Sequence, residues 1–271
     1  MLGLGLMGGS LVRGLSASGL ARAVTGWSPR SVEREGAEAA GAVDLAPADW
    51  RDAIRGTDLV VLAVPLGVAV ELLPAIAQST PDTTTLSDVA SLKAPLADAA
   101  RASGAIGRWV GSHPMAGGEA SGFAASTRNL YEGARVWTVS VGARPEHAAR
   151  VERLWRGLGA EPVPVEADEH DRLMERVSHV PQLVSNALAS VLEARGVEAV
   201  QLGPGGRDMT RLASSSASMW LDLIGYASDE VADALRSVSA EAERVAEMVE
   251  RRDMRGLETL FERTRRWKEA G

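Results

Sequence analysis

The first ten residues, MLGLGLMGGS, constrain the fold of this chain most strongly, because Gly3, Gly5 and Gly8 form a GxGxxG pattern. In a dinucleotide-binding βαβ unit, such glycines form the turn between the first strand and a helix whose N-terminus faces a pyrophosphate. Residues 10–20 have the pattern of that helix. We therefore predict a phosphate-binding turn at the start of the chain.

The strand that should precede this turn is short in the sequence. Only Met1 and Leu2 come before the first glycine. The first strand of such a sheet normally lies at its centre, so its loss would leave two neighbouring strands without their shared partner. We therefore expect a truncated first strand, and we hypothesise that the natural protein carries several more apolar residues before Met1.

Short apolar runs alternate with helical stretches through the first part of the chain. The candidate strands are residues 23–27, 59–64, 84–89, 109–112, 136–141 and 162–165. Residues 61–64 show no polar alternation, which is typical of a strand buried on both faces. The pattern predicts an α/β fold, with a Rossmann-type parallel sheet domain over residues 1–165.

The pattern changes to helical spacing at residue 166. Residues 166–195 contain no turn signal except Pro181, and helical sequence resumes after a glycine-rich loop at residues 203–206. We predict that residues 166–271 form an all-helical domain.

Composition excludes several classes of function. The net charge of −7, without a basic stripe, argues against nucleic acid as a partner. The absence of cysteine removes disulfides, thiolate metal ligands and cysteine nucleophiles, and we predict no metal site.

The most apolar segment, residues 59–77, is interrupted by Pro65, Glu71 and Pro74, so we predict a strand, turn and helix and no membrane span. We see no signal-peptide pattern and expect a cytoplasmic protein.

The second cofactor signal is VTGWSPR, residues 24–30, at the end of a candidate strand. An acidic residue usually binds the ribose hydroxyls of NAD there, but this chain has Ser28 and then Arg30, which favours NADP over NAD. The alternative is a helix cap at Ser28 and a solvated Arg30. The expected cofactor-binding residues are Gly3, Gly5, Leu6, Met7, Gly8, Ser28, Arg30, Val64 and Pro65.

Five motifs follow one another along the chain: GLGLMGG at 3–9, SDVASLK at 87–93, GSHPMAGGEASG at 111–122, SHVPQ at 178–182 and RDMTRLASSSASMW at 207–220. In this order, over essentially the whole chain, the sequence resembles the prephenate and arogenate dehydrogenase family of tyrosine biosynthesis. The resemblance implies an oxidative decarboxylation, in which a cyclohexadienol gives a hydride to a nicotinamide and loses carbon dioxide as its ring becomes aromatic.

The resemblance also assigns residues to this reaction. His113 matches the catalytic histidine, and a neutral imidazole suits a base near physiological pH. Ser91 matches the serine that orients the substrate hydroxyl and the base. Arg211 matches the arginine that binds the ring carboxylate, and Asp208, three residues earlier, is expected to hold Arg211 in place.

Other matching positions leave the substrate open. Glu119, His179 and Trp220 match positions that line or gate the pocket, although packing in the core explains His179 and Trp220 equally well. Gln182 stands where many family members have a second histidine, so the sequence does not choose between the pyruvyl side chain of prephenate and the amino acid side chain of arogenate. The resemblance further implies a homodimer through the helical domain, with residues 166–195 as the seam.

Two other functions are alternatives to this one. A β-hydroxyacid dehydrogenase uses a lysine in its helical domain, whereas the helical half of this chain has only Lys268. A non-catalytic dinucleotide-binding protein is the second alternative. Of the remaining histidines, His147 is expected to be solvated in a charged helix, and His170 with Asp171 is expected to begin a helix, with the acid favouring the helix dipole.

Overall fold

A computed structural model describes residues 1–118 and 120–270 of the chain. The chain forms two units, the first from Met1–Met174 and Ser215–Ala227, and the second from Glu175–Ser214 and Ser228–Gly271. The domain boundary between residues 165 and 166 stays a prediction. The return of Ser215–Ala227 to the first unit was not predicted.

The first unit contains a sheet and the helices that cover it. In chain order, its elements are α1 (Leu6–Ser18), α2 (Ser31–Ala39), α3 (Trp50–Ala53), β1 (Leu59–Leu62), α4 (Leu66–Ser79), β2 (Thr85–Asp88), α5 (Ala94–Ala102), β3 (Trp109–Pro114), β4 (Arg135–Val139), α6 (Pro145–Gly157), β5 (Glu161–Pro164), α7 (Ala167–Met174) and α10 (Ala217–Ile224).

The five strands pair in the order β1-β2-β3-β4-β5. The pairs β1–β2, β2–β3 and β4–β5 are parallel, with Val60 opposite Leu86 and Ser87 opposite Val110. Strand β4 runs antiparallel to β3, with His113 opposite Trp137. The predicted Rossmann-type sheet is therefore confirmed, with one antiparallel pairing that the sequence pattern did not predict.

Met1, Leu2 and Gly3 occupy the position of the first strand. Leu2 forms parallel bridges to Trp27 on one side and to Leu62 on the other. Its backbone N–H donates to the Val61 carbonyl at 2.9 Å, and the Gly3 N–H donates to the Trp27 carbonyl at 2.8 Å. The three residues therefore supply the hydrogen bonds of a short first strand between its two neighbours. That the natural protein carries more residues before Met1 stays a prediction.

Apolar side chains cover both faces of this sheet, because successive residues of a strand point to opposite faces. Leu62 belongs to a cluster with side chains of α4, α5 and α10, whereas its neighbour Val61 packs with α1 and α6, including the buried Trp155. The sheet is buried on both sides, so the ends of its strands are the places where polar groups can meet a ligand.

The second unit contains only helices among the residues described. They are α8 (Val180–Ala194), α9 (Pro204–Thr210), α11 (Glu230–Glu250) and α12 (Met254–Glu269), with a π-helical turn at Glu175–His179 and 3₁₀ turns at Ala199–Gln201 and Arg211–Ser214. The predicted helical run over residues 166–195 is thus divided. The π turn lies just before Pro181, whose ring disfavours a regular helical turn before it. No described helix is long and apolar enough to cross a membrane.

His147 is buried, so the expectation of a solvated residue is wrong. Its Nδ1 lies 2.7 Å from Thr85 Oγ1, and a guanidinium nitrogen of Arg144 donates to its Nε2 at 2.9 Å. Because a guanidinium can only donate, the ring proton lies on Nδ1. Burial, and secondarily the charge of Arg144, lowers the pKa of His147 below its ordinary value of 6.5.

This environment predicts a loss of stability in acid. A histidine whose pKa is lowered by folding stabilises the fold fully above its unfolded pKa, and this contribution is lost as the pH falls through the folded pKa. We expect the free energy of unfolding to fall below about pH 6.5 more steeply in the wild type than in His147→Gln, which has no group titrating there. Urea unfolding at a series of pH values measures both slopes, and equal slopes would contradict this account.

Candidate active site

The glycine turn has the geometry that a dinucleotide requires. Gly3 has φ +100°, and a Cβ there would lie 2.2 Å from the Ala63 carbonyl oxygen. A Cβ on Gly8 would lie 1.9 Å from the Gly3 carbonyl oxygen, whereas one on Gly5 would meet no atom within 4 Å. Gly3 and Gly8 thus pack the turn tightly, and Gly5 leaves its outer side open to a phosphate. The turn fits a pyrophosphate.

Helix α1 begins directly after Gly5, earlier than the sequence pattern indicated. Its first turn carries no acidic side chain, and no side chain caps its N-terminus. The first amides of a helix and its dipole attract anions. Leu6 and Met7 therefore present backbone donors at the position expected for the pyrophosphate, while Val64 and Pro65 follow the adjacent strand β1.

Ser28 and Arg30 form a polar cluster with Glu33 at the end of the strand segment containing Trp27. Ser28 is fully buried and donates from its hydroxyl to Glu33, which also pairs with the guanidinium of Arg30. Arg34 donates to the Ser28 carbonyl at 2.6 Å. Two cations and one buried carboxylate therefore surround the position where an NAD enzyme usually has its acid.

Ser91 lies half-buried in the loop between β2 and α5. A fully buried ion pair between Asp88 and Lys93 joins the two ends of this loop. The Lys93 ammonium also donates to the Ser112 carbonyl at 2.7 Å, next to His113. Burial lowers the pKa of Lys93, and the Asp88 charge opposes that shift. Removing either partner would leave a buried charge unpaired, so the pair fixes the loop firmly.

His113 lies at the carboxyl end of β3, and its side chain is half-buried. Its Nδ1 lies 2.9 Å from Nε2 of His170 on α7. His170 Nδ1 in turn lies 2.7 Å from Asp171 Oδ1. His170 and Asp171 therefore do not merely begin a helix, as the sequence suggested; both are buried and connected to His113. Sequence analysis did not assign them to the site.

Gln182, His179, Arg211 and Asp208 belong to the second unit. Gln182 Nε2 donates to Asn186 Oδ1 at 2.8 Å and to the Leu212 carbonyl at 2.7 Å, so it ties α8 to the turn that carries Arg211. His179 is buried at the end of the π turn. Arg211 and Asp208 are both exposed. The expected ion pair between them is not found among the ion pairs of the described residues.

Trp220 lies in the first unit, on α10, and packs against the core of the sheet. The same helix carries Asp222, whose carboxylate accepts the Gly67 N–H at 3.1 Å, near the start of α4. The structure thus attaches this part of the substrate motif to the sheet unit. Glu119 lies outside the described residues.

The described part of the first unit brings together the glycine turn, the Ser91 loop and His113 at one edge of the sheet. The carboxyl ends of parallel strands share an edge, and ligands of open α/β sheets bind there. A dinucleotide turn on the same sheet edge as a half-buried histidine is typical of a dehydrogenase that uses a nicotinamide dinucleotide.

Comparison with known proteins identifies the family. The family model for the prephenate dehydrogenase nucleotide-binding domain matches residues 11–163, and the model for the prephenate dehydrogenase dimerization domain matches residues 166–263. A prephenate dehydrogenase of Lactococcus lactis subsp. cremoris is 27% identical over 277 residues, covering 100% of this chain and 76% of the relative. The chain belongs to the prephenate dehydrogenase family.

Solved structures agree with this result. Prephenate dehydrogenase from Aquifex aeolicus matches with a TM-score of 0.92 at 25% identity, covering 100% of this chain and 98% of that one. A second structure from A. aeolicus, in complex with hydroxyphenyl propionate and NAD⁺, matches with a TM-score of 0.86 at 27% identity, covering 100% and 96%.

Two glycine substitutions test the cofactor turn. Gly5→Ala should leave the thermal midpoint unchanged, because its Cβ meets no atom, but should weaken binding of reduced dinucleotide at least tenfold, about 1.4 kcal/mol, by obstructing the phosphate. Gly8→Ala should lower the midpoint itself, because its Cβ meets the backbone. Thermal unfolding and cofactor fluorescence measure both effects.

Gly203 provides the matched control, because it also precedes a helix and a Cβ there meets no atom within 4 Å. Gly203→Ala should change neither quantity. Unchanged cofactor affinity in Gly5→Ala would exclude the turn as the phosphate site.

Proposed function

We propose that this protein catalyses the oxidative decarboxylation of prephenate to 4-hydroxyphenylpyruvate in tyrosine biosynthesis, with a nicotinamide dinucleotide as hydride acceptor. The observation that carries the proposal is the position of His113 at the end of β3, on the sheet edge that also holds the glycine turn. The substrate follows from the family and from the name of the L. lactis relative.

In this reaction His113 accepts the proton of the C4 hydroxyl while the C4 hydride leaves, and Ser91 orients that hydroxyl. The dinucleotide, when bound, takes the hydride. The C1–CO₂ bond then breaks, its electron pair completes the aromatic ring, and the oxygen at C4 recovers a proton. The Asp88–Lys93 pair holds Ser91 and the His113 strand in a fixed relation, because Lys93 contacts both segments.

We assign recognition of the ring carboxylate to Arg211. A guanidinium fork can donate two parallel hydrogen bonds to a carboxylate, and the Arg211 side chain is exposed in its unit. Gln182 supports this role by hydrogen bonding to Leu212, the next residue. The other proposed substrate-binding residues are Asp208, His179, Trp220 and Glu119.

Turnover with purified protein tests the function. Prephenate and arogenate are each paired with NAD⁺ and with NADP⁺. We expect reduced cofactor to form with prephenate, and the rate of its formation to be much lower with arogenate. His113→Asn should lower kcat by about 10²–10⁴, because the side chain keeps polar atoms but loses its base. His147→Gln, at a buried histidine outside the site, should keep the wild-type kcat.

The outcomes separate the alternatives. Faster turnover of arogenate would assign the protein to that substrate. Binding of cofactor without turnover in all four pairings would leave a non-catalytic dinucleotide-binding protein. An unchanged kcat in His113→Asn would show that His113 is not the base.

For the cofactor, we propose a preference for NADP over NAD. Ser28 stands in place of the usual acid, and two cations, Arg30 and Arg34, lie beside it. The Arg30 side chain is 61% exposed, although it pairs with the buried Glu33, so its remaining donors can meet a 2′-phosphate. Ser28 is neutral and adds no repulsion of a 2′-phosphate, and the Glu33 carboxylate beside it is paired with Arg30.

Arg30→Ala should lower kcat/KM for NADP⁺ at least tenfold, about 1.4 kcal/mol, and change that for NAD⁺ less than twofold, because only NADP⁺ carries the 2′-phosphate. Arg55→Ala is the matched control, since Arg55 is also an exposed arginine paired with an acid three residues away. Steady-state kinetics with both cofactors decide the question. A wild type that prefers NAD⁺, with an unaltered Arg30→Ala variant, would contradict the assignment.

We also propose a homodimer formed through the helical domain. The matched dimerization domain covers residues 166–263. Large apolar side chains are exposed on the helices of the second unit, including Val191 on α8, Val249 on α11 and Phe261 and Trp267 on α12. Apolar surface of this kind is characteristic of an interface between subunits.

A further inference from the structure

We propose that His170 and Asp171 are positioning residues that set the tautomer of His113. The proposal rests on the proposed function, in which His113 is the base. Both residues lie on the buried face of α7, whose spacing brings Ala167, His170, Asp171 and Met174 to one side. Charged and polar residues at such core positions need partners, and here the partners lead to His113.

The chain of hydrogen bonds starts from two groups that can only donate. The backbone N–H groups of Lys93 and Ala94, at the start of α5, each lie 2.8 Å from an Asp171 carboxylate oxygen. They hold the carboxylate in place, and both of its oxygens act as acceptors. The Asp171 oxygen that faces His170 therefore accepts, and the proton between them belongs to His170 Nδ1.

The tautomer of His170 then determines that of His113. A neutral imidazole has one donor nitrogen and one acceptor nitrogen, so His170 with its proton on Nδ1 accepts at Nε2. The nitrogen 2.9 Å away, Nδ1 of His113, must donate. The two rings meet at an interplanar angle of 78°, with centroids 5.0 Å apart. His113 is left with its lone pair on Nε2, which makes Nε2 the basic atom.

The same arrangement stabilises His113 after it has accepted a proton. The imidazolium keeps its Nδ1–H bond to His170, and the Asp171 charge lies one ring further away in a buried environment. His170 is fully buried and Asp171 is 9% exposed, so solvent screens this charge weakly. An oriented histidine backed by an aspartate is a general arrangement for a base. This chain inserts a second imidazole between the two groups.

Asp171→Asn is the most direct substitution. With its oxygen toward the Ala94 N–H, the asparagine places its NH₂ group at the former Oδ1 position, which faces both His170 Nδ1 and the Lys93 N–H. This NH₂ group reverses every donor and acceptor up to His113. We expect kcat with prephenate to fall about 10²–10⁴-fold, as it does when an orienting aspartate is replaced in a catalytic triad. The affinity for reduced cofactor should stay close to wild type, whereas the thermal midpoint should fall, because the NH₂ group meets the Lys93 N–H.

His170→Gln separates tautomer control from packing. A glutamine oxygen can accept from His113 Nδ1 while its NH₂ donates to Asp171, so kcat should stay within about tenfold of wild type, and His170→Ala should lose more. His170→Ala also removes the ring through which Asp171 acts on His113. Asp171→Asn added to His170→Ala should therefore cost much less than Asp171→Asn alone.

Asp49→Asn is the control for the helix-capping role of an aspartate. Asp49 also accepts a backbone N–H at the start of a helix, from Arg51 at 2.9 Å, and its variant should keep the wild-type kcat. A wild-type kcat in Asp171→Asn would overturn the proposal. So would an equal loss of kcat when Asp171→Asn is added to the wild type and to His170→Ala, because that result indicates capping alone.

A failure of the proposed function is a separate outcome. If the wild type turns over neither prephenate nor arogenate, the function fails, and ¹⁵N chemical shifts of His113 in the Asp171→Asn variant still decide the tautomer question. A proton that moves from Nδ1 to Nε2 in that variant supports the positioning role, and an unchanged tautomer contradicts it.

Discussion

The carboxylate of Asp171 is the constraint on which the site in the sheet unit depends. It accepts hydrogen bonds from two backbone N–H groups at the start of α5, and one of its oxygens faces His170. This one side chain therefore joins the Ser91 loop to α7, the helix whose His170 contacts His113. Backbone amides cannot reverse their role as donors. The direction of every hydrogen bond from α5 to His113 therefore follows from this single attachment.

Lys93 makes a second connection between the same segments. Its backbone N–H binds Asp171, and its ammonium binds Asp88 and the Ser112 carbonyl, so it contacts both ends of the Ser91 loop and the strand that ends at His113. A buried ammonium is costly unless it is fully hydrogen bonded. Lys93 thus connects the Ser91 loop to the strand that carries His113, the two segments that hold the proposed orienting serine and the proposed base.

The fold and part of the site could be predicted from the sequence because they follow from local patterns. The glycine spacing, the alternating apolar runs and the change to helical spacing are all short-range signals. The role of Met1–Gly3 could not be predicted in this way, since a three-residue segment has no periodicity and becomes a central strand only through its two neighbours. The antiparallel β4 likewise depends on tertiary pairing.

The burial of His147 and His170 could not be predicted from the sequence. Both lie in strongly charged helices, and burial of a histidine there depends on partners far along the chain, such as Thr85 for His147 and His113 for His170. The sequence did contain one local signal that His170 is buried. His170 and Asp171 lie at helical spacing from Ala167 and Met174, and these four residues form the buried face of α7.

The central claim is that His113 carries its proton on Nδ1 and its lone pair on Nε2. The chain has 4 histidines, so ¹⁵N labelling of the imidazoles gives a spectrum in which single substitutions can assign each ring. At neutral pH we predict that Nδ1 of His113 carries the ring proton and that Nε2 is unprotonated, with the same tautomer for His170. An unprotonated Nδ1 and a protonated Nε2 on His113 would contradict the account.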